Sequence, residues 1–309
     1  MVRTVDASAP ETVFDEIDSA LENLREKGAK KCVILWCNPH NPLGRVWRRE
    51  ELEKLVKVVV KHGDFVTAVC SDEVWSGMVL DDDKTPFTSL AKCAFQNNVV
   101  LRDRLVLLTS PSKTYNVAAL DFAFAVVPND HLRRRYFRHG RDQAECTPFG
   151  LAAAEAIFLK GGCEKRGDVL TPENGQCETW RLSVIDYLRS NRDLAIDFIT
   201  THCDPHIKIA ATPEASYLLW LDGNGLDIPH LADFLRDNYN IALSDGSPFF
   251  GKPDSRFLRL NFACERDLLI KALNRLKTAV DDYRAHHGTF EAANKSDDDD
   301  GSSNNTFPF

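Results

Sequence analysis

The chain has 309 residues, 43% of them apolar, and a formal charge of −8 at neutral pH, which fits a globular chain of one large or two ordinary domains and excludes wholesale disorder. The stretch from Glu291 onward holds five acids and one lysine and leaves −4 for the rest, so nothing in the charge favours nucleic acid or an anionic membrane as partner. No apolar run reaches the length of a membrane span, and the start MVRTVDASAPETVFDEI lacks the layout of a signal peptide, so a cytoplasmic protein is expected.

The nine cysteines are scattered, with no C-x-x-C pair, so neither a disulfide framework nor a metal site is expected. From Glu11 to Gly28, Phe14, Ile17, Leu21 and Leu24 recur at the spacing of one helix face, and Gly28 stops the pattern. The run Cys32-Val33-Ile34-Leu35-Trp36-Cys37 reads as a strand buried on both faces, ending in the turn-rich NPHNPLG. RREELEKLVKVVVKHG, acidic at its start and basic at its end, is a second helix. Val66 to Cys70 form a second strand, running into SDE, and after a loop Leu105 to Thr109 form a third, running into SPSK.

Three apolar strands that each end in polar residues predict βαβ units and a parallel sheet, whose ligands bind beyond the carboxyl ends of the strands. Asn41, Asp72 and Lys113 would then meet in one crevice. The basic stretch HLRRRYFRHGR reads as a solvated helix face. Beyond Gly150 the chain changes character. A small-residue helix, LAAAEAIFLKG, precedes the segment 161–178, to which no role is assigned. Helices near Trp180 to His202, Leu231 to Asn238 and Arg266 to Tyr283 then alternate with strand-like HIKIA, SYLLWLD and RFLRLNFACE, a smaller α+β domain. The expected division is 1–178, 179–287 and an acidic, disordered tail over 288–309.

In this order CNPHNPLGRVW, SDEVW, TSPSKTYNVAAL and FLRLNFACER resemble the class I/II aminotransferase superfamily of fold-type I pyridoxal-phosphate enzymes. The histidine of NPHNP, with GRVWRREEL, is most similar to cystathionine β-lyases of the MalY/PatB type. The resemblance implies an α/β fold with a mostly parallel sheet, truncated at its N-terminal side, and a smaller C-terminal α+β domain. It implies pyridoxal 5'-phosphate as cofactor, a small amino-acid substrate, and a homodimer when the family's N-terminal portion is supplied. The activity implied is carbon-sulfur β-elimination from a cysteine conjugate or cystathionine; the alternatives are transamination and a non-catalytic relative.

The same resemblance gives each residue a role. Lys113 would bond the cofactor aldehyde and then move the substrate's Cα proton. Asp72 would keep the pyridine nitrogen protonated, Asn41 would face the phenolic oxygen, Ser110 and Ser112 the phosphate, and Arg259 the substrate carboxylate. Singly, Asn41 reads as a turn residue, Asp72 as a strand-end cap and Arg259 as a surface arginine; with Lys113 they read as a site. Two departures stand out. Trp75 replaces a tyrosine or histidine, and Asp121 takes a position where many aminotransferases carry a phosphate-binding arginine. Without the family's early strands and the helix N-terminus that faces the phosphate, the chain is expected to hold the cofactor weakly.

Overall fold

The computed structural model describes residues 11–97, 99–140, 146–160, 164–166, 169–171, 175–250 and 256–296. Helix α1 (Val13–Glu26) carries Asp15 and Glu16 in its first turn and Arg25 in its last, and buries Val13, Phe14, Ile17, Leu21 and Leu24. Strand β1 (Cys32–Cys37) follows, then α2 (Arg49–Lys61), whose entry is fixed by Glu51 accepting the Arg48 N–H at 2.7 Å and whose Leu52, Leu55 and Val59 are wholly buried. Next come β2 (Val66–Asp72), α3 (Leu90–Asn97), α4 (Val99–Arg102), β3 (Leu105–Thr109) and β4 (Phe124–Val126).

These strands form one sheet in the order β1-β2-β3-β4, with β1, β2 and β3 parallel and β4 antiparallel to β3. The parallel core agrees with the sequence reading. The burial of β1 does not: Ile34 and Trp36 face the core, but Val33 is 51% and Leu35 82% exposed. β1 is an edge strand, and Phe14 of α1 packs against Trp36 on one face only, so among the described residues the opposite face is uncovered. At the other edge, Phe124 and Val126 of β4 are also partly exposed.

The remaining elements are α5 (Asp130–Gly140), with none of its side chains buried, α6 (Pro148–Glu155), β5 (Glu164–Arg166), β6 (Val169–Thr171) and α7 (Gln176–His202). The expected solvated basic helix is thus α5, while the 161–178 segment contributes the antiparallel pair β5-β6. After α7 come β7 (Lys208–Ala211), β8 (Leu218–Asp222), α8 (Leu231–Tyr239), β9 (Ser244–Asp245), α9 (Ser247–Phe250), β10 (Phe257–Asn261) and α10 (Arg266–Ser296). The second large sheet has the order β7-β8-β10-β9. α10 continues past Tyr283 to Ser296. The last part of the tail, 297–309, lies outside the described residues. No helix among those described is long and apolar enough to cross a membrane.

The chain divides into two compact units. One comprises Met1–Asp193, Ala210–Trp220 and Leu260–Ala263, and the other Leu194–Ile209, Leu221–Arg259 and Cys264–Phe309. The second is built on Ile199, Ile207, Leu231, Leu235, Leu269, Leu273 and Val280. In the first, the turn after β1 is locked by packing. Gly44 has φ +68°, and a Cβ there would lie 2.4 Å from Pro213 Cβ and 2.7 Å from the Ala215 carbonyl, so only glycine fits. Trp47, 1% exposed, donates its indole N–H to the Cys37 carbonyl at 3.0 Å, and its ring lies 4.4 Å from that of Trp36 and 5.9 Å from that of Phe14. Replacing Trp47 with alanine therefore removes the plug and the tether at the end of β1 together. Urea unfolding should show a loss of about 3–5 kcal/mol; a loss below about 1 kcal/mol would place Trp47 outside the packed core.

Candidate active site

β1, β2 and β3 run in register to a common end, with Cys37 opposite Asp72 and Asp72 opposite Leu108. Two backbone bonds tie the exits. The Asn38 N–H donates to the Asp72 carbonyl at 2.9 Å, and the Glu73 N–H donates to the Leu108 carbonyl at 2.8 Å. Three loops therefore leave the sheet along one line, at the carboxyl ends where open parallel sheets bind ligands.

Asn41, Asp72, Ser110, Ser112 and Lys113 lie at these strand ends or in the segments that leave them. Asn41 is half-buried in the turn after β1, and its backbone lies within hydrogen-bond reach of the Cys37 thiol. Half-buried Asp72 accepts the Val74 N–H through Oδ1 at 3.1 Å, which orients its carboxylate. The Ser110 hydroxyl donates to the Phe122 carbonyl at 2.6 Å and accepts the Ser112 N–H at 3.0 Å, with Ser112 Oγ 2.6 Å away. This knot holds the first turn after β3. Lys113, half-exposed, places Nζ 5.8 Å from the centroid of the Trp75 ring. Trp75 is 5% exposed and meets Tyr217 edge-on at 4.7 Å. Asp121 is exposed, in the left-handed region at φ +48°.

Arg259 belongs to the second unit, on β10. Its guanidinium lies 5.0 Å from the Phe249 ring centroid, Nη2 is 3.4 Å from Ser244 Oγ, and burial pulls its pKa down.

Three residues that hold this arrangement were not singled out in the sequence reading. Asn38, wholly buried, donates its amide to the Thr88 carbonyl at 2.9 Å and accepts the Trp47 N–H at 3.2 Å. Its position as the first asparagine of NPHNP, directly after a buried strand, is the signal that marks it. Glu73, 3% exposed, accepts both the Ser71 hydroxyl and the Leu90 N–H at 2.9 Å. Tyr217 has no local signal, because it reaches Trp75 from the distant β7–β8 connection.

Other chemistry is disfavoured here. Burial, with the negative charge of Asp72 adding to it, pushes the Cys37 thiol up to about 12, so it stays protonated and a poor nucleophile. Away from the strand ends, ligand atoms of Asp18, Glu22 and His62 lie within 4.8 Å of one another. The Lys61 ammonium already sits 2.5 Å from Asp18 and 2.9 Å from Glu22, which makes this grouping an ion-pair brace between α1 and α2.

Residues 2–158 match the model of the family Aminotransferase class I and II. The chain belongs to this family, and its fold is that of the fold-type I pyridoxal-phosphate enzymes. It is 33% identical over 267 residues to cystathionine β-lyase PatB of Bacillus subtilis, covering 84% of this chain and 61% of PatB. It is 28% identical over 253 residues to Protein MalY of Escherichia coli, covering 80% of this chain and 57% of MalY. Cystalysin of Treponema denticola, whose crystal structure contains pyridoxal 5'-phosphate, matches with a TM-score of 0.71 at 25% identity, covering 87% of this chain and 61% of cystalysin. The chain thus spans about three fifths of the length of these relatives.

Glu73 yields a pH test. Burial raises its carboxyl above the usual 4.5, outweighing the hydrogen bonds from Ser89, Leu90 and Ser71 that favour the charged form. With the folded pKa above the unfolded one, Glu73 supports stability fully below the unfolded value and loses that contribution as pH rises through the folded one. Glu73→Gln retains an oxygen for both donors but cannot ionise. Urea midpoints measured across this window should fall with rising pH more steeply for the wild type than for the variant. Equal slopes would show that the buried charge carries no cost.

Proposed function

We propose that this chain carries the pyridoxal-phosphate site of a carbon-sulfur β-lyase, acting on cystathionine or a cysteine S-conjugate. The reaction consumes the conjugate and water and releases a thiol, pyruvate and ammonia. In this reading residues 1–178 serve the cofactor, 179–287 form the smaller part and 288–309 the tail, and the working form is a cytoplasmic homodimer. The observation that carries the reading is the placement of Asp72 and Lys113 at the exits of neighbouring parallel strands, joined by the Glu73–Leu108 backbone bond.

The donor set fits the cofactor. Lys113 offers an amine to its aldehyde, Asp72 a carboxylate to its pyridine nitrogen, Asn41 an amide to its phenolic oxygen, and Ser110 and Ser112 hydroxyls to its phosphate. When bound, pyridoxal phosphate supplies an electron sink for the electrons left at the substrate's Cα. The chain's own groups do the rest. Asp72 holds a proton on the pyridine nitrogen and so keeps that sink deep. Lys113 takes the proton from the substrate's Cα, and Trp75 shields its amine on one side. Trp75 has an indole N–H but no exchangeable proton of use near neutral pH, which leaves proton movement to Lys113.

The serine knot shapes phosphate binding. The Ser110 proton is engaged by the Phe122 carbonyl, so Ser112 must turn its hydroxyl away from Ser110 to donate to a phosphate. Asp121 is exposed and is itself the left-handed residue that closes this segment. Arg259 is the proposed partner of the substrate carboxylate, a role that rests on the RLN motif and on the match of a guanidinium to a carboxylate.

Elimination and transamination share the loss of the Cα proton and differ in what leaves afterwards. With cystathionine or an S-substituted cysteine, pyruvate and thiol should appear faster than any amino-acid and oxo-acid pair exchanges its amino group; the reverse order makes the protein an aminotransferase. Asp72→Asn keeps shape but removes the charge, so it should lower turnover by about a hundredfold or more while cofactor content falls less. Wild-type turnover in that variant would make Asp72 a structural cap.

A further inference from the structure

The loop after β2 and the turn after β3 touch where Gly77 meets Thr114. A Cβ on Gly77 would lie 2.4 Å from Thr114 Oγ1, 2.6 Å from Thr114 Cγ2 and 3.1 Å from Thr114 Cβ. Thr114 is buried and directly follows Lys113. Its side chain cannot turn out of the way. A threonine fills two of its three staggered χ1 wells with heavy atoms, so every rotation leaves one of them facing Gly77. The contact thus requires a residue without a side chain at 77.

The far side of Gly77 is held as well. Arg181, at the start of α7, donates to the Gly77 carbonyl at 2.8 Å and is itself paired with Glu178 at 2.5 Å. Beside it, Trp180 of α7 stacks on Tyr115 at 6.2 Å, so the same turn of helix grips the Lys113 segment from a second direction. Trp75, on the loop that contains Gly77, is the ring over which Lys113 Nζ lies.

We propose that Gly77 and Thr114 form a positioning pair whose contact, pressed home by Arg181, sets the spacing between the Trp75 loop and the Lys113 turn and holds the lysine amine in place to bond an aldehyde. The inference rests on the reading of Lys113 as the amine that bonds pyridoxal phosphate. Neither residue touches the reacting atoms. Each acts through the backbone that carries Lys113.

The test compares the 309-residue chain with Gly77→Ala, Thr114→Ala and the double variant. Each is labelled with pyridoxal phosphate and borohydride, and separately with trinitrobenzenesulfonate. Modification of Lys113 is read by peptide mass spectrometry against the exposed Lys27 and Lys57, and folding is followed by circular dichroism. Gly77→Ala should lower pyridoxal-phosphate labelling of Lys113 by about tenfold and shift its trinitrobenzenesulfonate rate by about threefold or more, with the reference lysines unchanged. Thr114→Ala removes both clashing atoms. The double variant should therefore return to within about threefold of Thr114→Ala, a rescue that general destabilisation does not produce.

Unchanged Lys113 rates in Gly77→Ala, or a double variant as impaired as the single one, would overturn the proposal. If Gly77→Ala does not fold, the double variant decides: folded with Lys113 labelled as in Thr114→Ala it supports the pair, and unfolded or poorly labelled it refutes it. If Lys113 of the wild type takes no pyridoxal phosphate while trinitrobenzenesulfonate still separates the variants as expected, the cofactor reading fails and the positioning pair stands.

Discussion

Two backbone hydrogen bonds, from the Asn38 N–H to the Asp72 carbonyl and from the Glu73 N–H to the Leu108 carbonyl, determine where three loops leave the sheet. Each continues a parallel ladder by one rung beyond the last strand residue, so residues far apart in sequence come off the sheet at one level. Asn38 and Glu73 then act again through their side chains. Their buried acceptors receive the N–H groups of Trp47 and Leu90, fixing the turn after β1 and the start of α3. A buried polar network of this kind is favourable only when each member is satisfied. Its two residues tie the strand ends next to the turn that carries Lys113.

How much of this was legible depended on whether the cause was local. Cys32–Cys37 and Leu105–Thr109 were bounded correctly because continuous apolar runs ending in polar turns are a local signal. The burial of β1 was misread for the same reason. An apolar run tells nothing of whether a strand is central or at an edge, and Leu35 is exposed because β1 has one strand neighbour and one described covering face. α3 and α4 lie in what the sequence suggested was a loop. The start of α3 is capped twice, locally by Ser89 Oγ, which accepts the Ala91 N–H at 3.1 Å, and by Glu73 from 17 positions away, a contact that no local pattern records. β4 was missed because three residues are too short to show alternation.

The site divides along the same line. Asn41, Asp72, Ser110, Ser112 and Lys113 were visible as polar residues at strand exits, and their joint meaning came from the ordered motifs. The residues that orient them were not visible. Gly77, Thr114, Arg181 and Tyr217 act through contacts made by segments distant in sequence, and each has an ordinary local role as a loop glycine, a turn residue, a helix arginine or a strand-flanking tyrosine.

Chemically, the strand ends combine groups whose properties diverge. The Cys37 thiol is kept protonated by burial, Asp72 is oriented as an acceptor by the Val74 N–H, and the Lys113 amine stands over an aromatic face at the edge of solvent. In the proposed reading an amine is the nucleophile of this arrangement, and a carboxylate its electrostatic partner. The most direct test is the absorbance of the protein in the presence of excess pyridoxal phosphate, for the wild type and for Lys113→Ala. A bound-cofactor band distinct from that of free pyridoxal phosphate should form in the wild type and be absent from the variant. The same band retained in Lys113→Ala would contradict the assignment of Lys113 and of the site built around it.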